Sequence, residues 1–237
     1  MSLILSIETG TDVCSVALSK NGELKSLRES SEGKDHAKNL ATYISEILTE
    51  FDLEIADIDA VAVGMGPGSY TGLRIGVSVA KGLCYAENKP LIAISSLESL
   101  VSVALDDYDA GLTEIENIET AMFCPMIDAR RMEVYSAIYD SKLNLLMDVG
   151  AFIIDDESFA EFRKDREFVI FGNGAKKCRE VLTGNVQYIN VQHSAQGLIK
   201  SAHRKFKNKE FEDIAYFEPF YLKDFVAKVS KKDVLKK

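Results

Sequence analysis

The chain has 237 residues and a mass of 26.2 kDa, which allows one large domain or two compact ones but not three. Hydrophobic residues at 46% and charged residues at 27% exclude a chain disordered throughout. The formal charge of −9 is uneven: residues 1–115 hold 8 basic and 18 acidic side chains and the rest hold 20 and 19, so no concentrated basic face is expected and any RNA served is expected to be held mainly by something else.

Residues 3–7 read as a short buried strand and 13–18 as a second. Asn21-Gly22 is the strongest short-range hairpin signal, feeding a third strand over 23–29 that closes in the polar stretch 30–34. Leu40, Tyr43, Ile44, Ile47, Leu48 and Phe51 then fall at helical spacing, with Asp35 placed as N-cap. A strand over 59–65 ends in the glycine-rich loop 64–72. The helix expected over 71–86 is apolar nearly all round, its polar stripe being Arg74, Ser78, Lys81 and Tyr85. A strand over 91–94 leads to a capping box of Ser95 and Glu98 and a helix through Leu105.

Residues 106–119 hold six acids and no base, which marks an exposed connector and a boundary between domains 1–110 and 111–237. Beyond it the opening order recurs, with strands over 122–127, 133–139 and 145–153 and a helix over 157–163. A strand over 168–171, the turn Gly172-Asn173-Gly174, a helix over 175–182, a strand over 186–191 and a helix over 195–206 follow. Lys223 to Lys237 holds six lysines and two aspartates and reads as a basic tail. The pattern is α/β, a hairpin sheet extended by parallel strands, twice over. The four cysteines form no CxxC pair, no apolar stretch is long enough to span a membrane, and the N-terminus has no basic leader, so the chain is expected to be cytoplasmic.

The glycine loop lacks the phosphate-binding lysine, for Thr71 or Leu73 stands in its place, and lacks the third glycine of a dinucleotide fingerprint. It can cradle an anion on helix N–H groups or simply shape a tight turn. Glu8, Thr9, Gly10 and Thr11 after the first strand can organise a hydrated metal and phosphates, and Gly172 and Gly174 can face an adenosine; ordinary hairpins and turns contain the same residues. His36, His193 and His203 form no HExxH or HxxxH pair, since Leu40 follows His36 by four, and there is no GxSxG elbow. No catalytic residue, metal or cofactor is therefore expected. In the apolar helix, Gly72, Gly76 and Ala80 are spaced by four and make a face without bulk, while Leu73, Val77 and Cys84 can pack on the sheet. A helix apolar on opposing faces needs a second cover. That cover is either a partner surface or the preceding helix with Leu40, Tyr43 and Ile47.

Together these residues resemble a known family. The segments Leu3 to Thr11 and Cys14 to Leu18, His36 opening a helix, Gly64 to Gly76 (GMGPGSYTGLRIG), Asp128 to Tyr135 and Pro219 to Leu222 are similar to the bacterial TsaB (YeaZ) family. Glu8 and Gly10 stand where that family more often has aspartate and serine or threonine. The resemblance implies two ribonuclease-H-like domains of the actin, Hsp70 and sugar-kinase superfamily. It also implies a subunit, not catalytic by itself, that pairs with the paralogue TsaD and the ATPase TsaE to place threonylcarbamoyl on the adenosine 3′ to the anticodon in tRNAs reading ANN codons. The tRNA is then met only through the complex, and a homodimer can form when the partner is absent. The pairing surface expected is His36, Leu40, Tyr43 and Ile47 on one helix with Gly72, Gly76 and Ala80 on the next. An ATP-dependent small-molecule kinase of the same fold is the alternative.

Overall fold

The computed structural model of the protein describes residues 2–31 and 35–223. Among these residues ten strands form two five-stranded mixed sheets. The first has the order β3-β2-β1-β4-β5, from β1 (Leu3–Glu8), β2 (Cys14–Lys20), β3 (Glu23–Ser30), β4 (Ala60–Gly66) and β5 (Leu91–Ser95). Three antiparallel strands come first because Asn21 and Gly22, with φ of 55° and 85°, make the left-handed turn that joins β2 to β3. β4 and β5 then add in parallel beside β1, reached through α1 (His36–Glu50) and α2 (Tyr70–Ala86). The second sheet, order β10-β9-β6-β7-β8, repeats the pattern with β6 (Met122–Asp128), β7 (Glu133–Tyr139), β8 (Leu145–Ile153), β9 (Phe168–Phe171) and the short β10 (Gln187–Tyr188). These are the two ribonuclease-H-like units expected.

Helices α1 and α2 cover one face of the first sheet. Leu40 and Ile47 of α1 and Val77 and Ala80 of α2 close over Leu5, Ile7, Val16 and Val63. Each fully buried leucine or isoleucine contributes about 1.5–3 kcal/mol here. The other two long helices tie the sheets together. α3 (Ser96–Asp109), from the first half of the sequence, sets Leu97, Leu100 and Ala104 against Phe123, Ile127 and Phe171 of the second sheet. α6 (Ile199–Asn208) and the 3-10 turn before it set Leu198, Ala202 and Phe206 on Ile4, Ala62 and Ile92 of the first. A cut at residue 110 thus separates the strands of the two sheets but not the packing of their helices.

Several local expectations are corrected. Asp35 lies in the left-handed region (φ 63°) and its side chain caps nothing, and Ser95 makes no cap hydrogen bond either. The connector begins later than expected, because α3 continues through Asp109. Between β8 and β9 only α4 (Ala160–Arg163) is helical, since Phe159 at φ 60° breaks the run, and after β9 only α5 (Ala175–Cys178) is. Residues 32–34 and the lysine-rich end from 224 onward lie outside the described residues.

Candidate functional site

The site is built where β1, β4 and the start of α2 meet. Ser69 caps α2 by accepting from the Gly72 N–H at 3.3 Å, and its own N–H donates to the Gly10 carbonyl at 2.6 Å. The Thr9 hydroxyl donates to the Gly72 carbonyl at 2.8 Å. The helix start is thereby laid directly on the loop after β1, and a Cβ at Gly68 or Gly72 would collide with the backbone of Gly10 or Thr9. Glu8 is fully buried beneath this contact. Its carboxylate accepts from the Gly10 N–H at 2.7 Å and the Ser96 hydroxyl at 3.1 Å, in the space left by the missing side chain of Gly64. Burial pushes the Glu8 carboxyl above its ordinary range, against the lowering effect of those hydrogen bonds.

The second turn is filled as well. Gly172 (φ 95°) lies against the Met126 carbonyl and the Leu100 side chain of α3, and the Gly174 N–H donates to the Met126 carbonyl at 2.9 Å. At the residues expected to touch a nucleotide the structure shows internal partners: Glu8 holds Gly10 and Ser96, Thr9 holds Gly72, Thr11 holds Val13, and the turn of Gly172 and Gly174 lies against Met126 and Leu100. His36 is similarly engaged, its Nε2 lying 2.9 Å from the Thr11 carbonyl, which pins the start of α1 to the loop after β1. His193 is buried, with burial lowering its pKa to about 4. Among the described residues, no three His, Cys, Asp or Glu side chains come together as metal ligands would. All four cysteines are buried and free, and burial raises the Cys14 and Cys84 thiols to about 11, away from nucleophilic use.

The structure brings α1 and α2 side by side, as expected, but turns α2 the other way. A Cβ on Gly76 would run into the Thr9 hydroxyl and lie 3.6 Å from Ile7 Cγ2, so Gly72, Gly76 and Ala80 face β1 of their own sheet. Leu40 and Ile47 are likewise fully inside, and of the apolar residues in the expected pairing surface of α1 Tyr43 is the one half-exposed. What α2 turns outward is a different line. Thr71, Ser78, Gly82 and Ala86 are exposed, Ile75, Val79 and Leu83 are half-buried, and Tyr85 is 83% exposed. Gly82 has nothing within 4 Å of the place its Cβ would take. The seven-residue step from Ile75 to Gly82 was present in the sequence. The four-residue spacing of Gly72, Gly76 and Ala80 marks the opposite face.

The chain is similar to known proteins of one kind. The family described as "TsaD: tRNA N6-adenosine threonylcarbamoyltransferase" matches residues 30–231. The "tRNA threonylcarbamoyladenosine biosynthesis protein TsaB" of Haemophilus influenzae is 38% identical over 132 residues, 56% of this chain and 51% of the relative, so the matched stretch spans about half the length of that protein. The Bacillus subtilis protein of the same name is 29% identical over 232 residues and 93% of each chain. A solved structure titled "YeaZ from Pseudomonas aeruginosa" superposes with a TM-score of 0.80 at 25% identity, covering 94% of this chain and 100% of that one.

Proposed function

The chain belongs to the TsaB (YeaZ) family, and from that premise we propose that it is a cytoplasmic scaffold subunit of tRNA threonylcarbamoyladenosine synthesis, without catalysis of its own. Its partner is a TsaD-type paralogue, with a TsaE-type ATPase joining the pair. The observation that carries the pairing is the outward face of α2. Glycine inside a helix costs about 1 kcal/mol relative to alanine, and nothing among the described residues needs Gly82 to be small. A second helix approaching closely would need it so. Ile75, Val79 and Tyr85 on the same helix supply apolar area for such a contact. The same surface meeting its copy would give an isologous dimer when the partner is absent.

The non-catalytic part rests on how the loops after β1 and β9 are used, since both are consumed in internal packing. The kinase reading is not favoured: the relatives are named for tRNA modification, and the turns a nucleotide would need are filled. The test is complementation. A bacterium depleted of its TsaB should regain threonylcarbamoyladenosine in its tRNA when given this gene, and a TsaD-type protein should co-purify with the product. Modification by this chain with no TsaD-type protein present would overturn the scaffold reading, as would failure to capture one.

A further inference from the structure

After α6 the chain does not stop at the first sheet but runs as a strap over α2. Glu212 bridges to Leu91, Lys81 Nζ donates to the Phe217 carbonyl at 2.9 Å, and the Phe220 N–H donates to the Met65 carbonyl at 2.8 Å. The strap then brings rings and cations together. The Tyr221 ring centre lies 5.0 Å from that of Tyr70, the Arg74 guanidinium stands 4.0 Å from the Tyr70 ring centre, and Arg74 Nε donates to the Tyr221 hydroxyl at 3.1 Å. Two residues on, Lys223 Nζ lies 5.8 Å from the ring centre of Tyr135 and pairs with Glu133. Both partners are on β7, and the hairpin leading into β7 turns through Arg130 and Arg131.

Those two arginines are exposed, and both sit in the left-handed region, with φ of 70° and 47°. The β2–β3 turn meets the same demand with Asn21-Gly22. A pair of long cationic side chains in that conformation is costly. Cations and aromatic rings thus stand together at the start of α2 with Tyr221, and again where Lys223 meets β7, the strand that the Arg130-Arg131 turn leads into. Carboxylates beside these groups are Glu218, Glu133 and Asp128; Lys223 holds Glu133, and Lys177 holds Asp128 at 2.5 Å.

We propose that these groups form a binding track for single-stranded RNA, the loop of a tRNA stem–loop, contributed by this chain itself. The proposal rests on the tRNA-modification reading above and revises the expectation, drawn from a net charge of −9, that RNA is held mainly by something else. Loop bases stack on tyrosine faces while the phosphates between them meet arginine and lysine, and the two clusters here provide both. A single mononucleotide would use one ring and one cation; two clusters suit an extended strand.

The test is fluorescence anisotropy of an anticodon stem–loop RNA with the full chain, alone and paired with a TsaD-type protein, across a salt series. Arg130→Asn with Arg131→Gly should weaken binding about tenfold or more and flatten the logarithmic salt dependence by about two, and Arg74→Gln by about one. The Asn-Gly hairpin relieves the turn, so its thermal midpoint should hold or rise, which separates lost contact from lost fold. Unchanged affinity and salt slope in both variants overturn the track, and if the unaltered chain still restores modification in cells the scaffold reading stands. Binding that depends on these cations in a chain that pairs with no TsaD-type protein supports the track and removes the scaffold reading.

Discussion

On helix α2 the inward residues Gly72, Gly76 and Ala80 and the outward residues Ser78, Gly82 and Ala86 are about equally small, yet they answer to different neighbours. The inward line is small because β1 is already there: the Thr9 side chain occupies the place a Gly76 side chain would take, and its hydroxyl is bonded to the Gly72 carbonyl. The outward line meets open space at Gly82. Smallness with a neighbour inside the chain reports packing. Smallness without one, kept at a cost in helix stability, points outside the chain.

The comparison breaks most visibly at Gly76. Gly76→Leu should destabilise the isolated chain by about 3 kcal/mol or more, because the leucine must displace Thr9 or lift α2 from β1; urea unfolding followed by circular dichroism reads this directly. A variant as stable as the original would mean that the inward face is not closed. The buried seam near this face should also respond to pH. His193, with its pKa lowered from 6.5 to about 4, keeps its imidazole neutral in the fold while the unfolded chain takes up a proton. Stability from this group is complete above pH 6.5 and falls as pH drops toward 4, by on the order of 3 kcal/mol. His193→Gln should flatten that part of the stability–pH curve.

Glu8 works in the opposite sense. Its folded pKa is raised, so its contribution is fully present below 4.5 and is lost as pH rises toward the folded value. Glu8→Gln should therefore stabilise the chain more at pH 8 than at pH 4, measured by the same unfolding curves. The smallest effect belongs to the outward face. Gly82→Ala should raise the stability of the isolated chain by about 1 kcal/mol, since the new methyl group strains nothing and improves helix propensity.

Most of the sheet order was legible because its signals are local. Asn21-Gly22 names its own turn, and the runs Leu3 to Ile7 and Ala60 to Val63 name buried strands. The orientation of α2 was not legible, because a Gly-x-x-x-Gly spacing says that something comes close without saying what; here the close neighbour is a strand two elements earlier. The exchange of α3 and α6 between the sheets was hidden for a similar reason, since an apolar helix face does not record which sheet it covers. The β6–β7 turn has no sequence signal, because Arg130-Arg131 carries none of the usual turn chemistry. The segment Glu8 to Thr11 at the end of β1 is visible in the sequence, but its closure depends on Gly64, Ser69 and Ser96, which lie far away in sequence.

Pairing through the outward face of α2 turns on Gly82. A Gly82→Leu chain co-expressed with a TsaD-type protein can be examined by sedimentation velocity, with thermal unfolding of the isolated variant measured alongside. The outward-face account predicts a folded monomer with a thermal midpoint equal to or above that of the unaltered chain, and loss of the heterodimer boundary at concentrations where the unaltered pair is fully formed. A heterodimer that persists with this leucine in place would show that the pairing surface lies elsewhere.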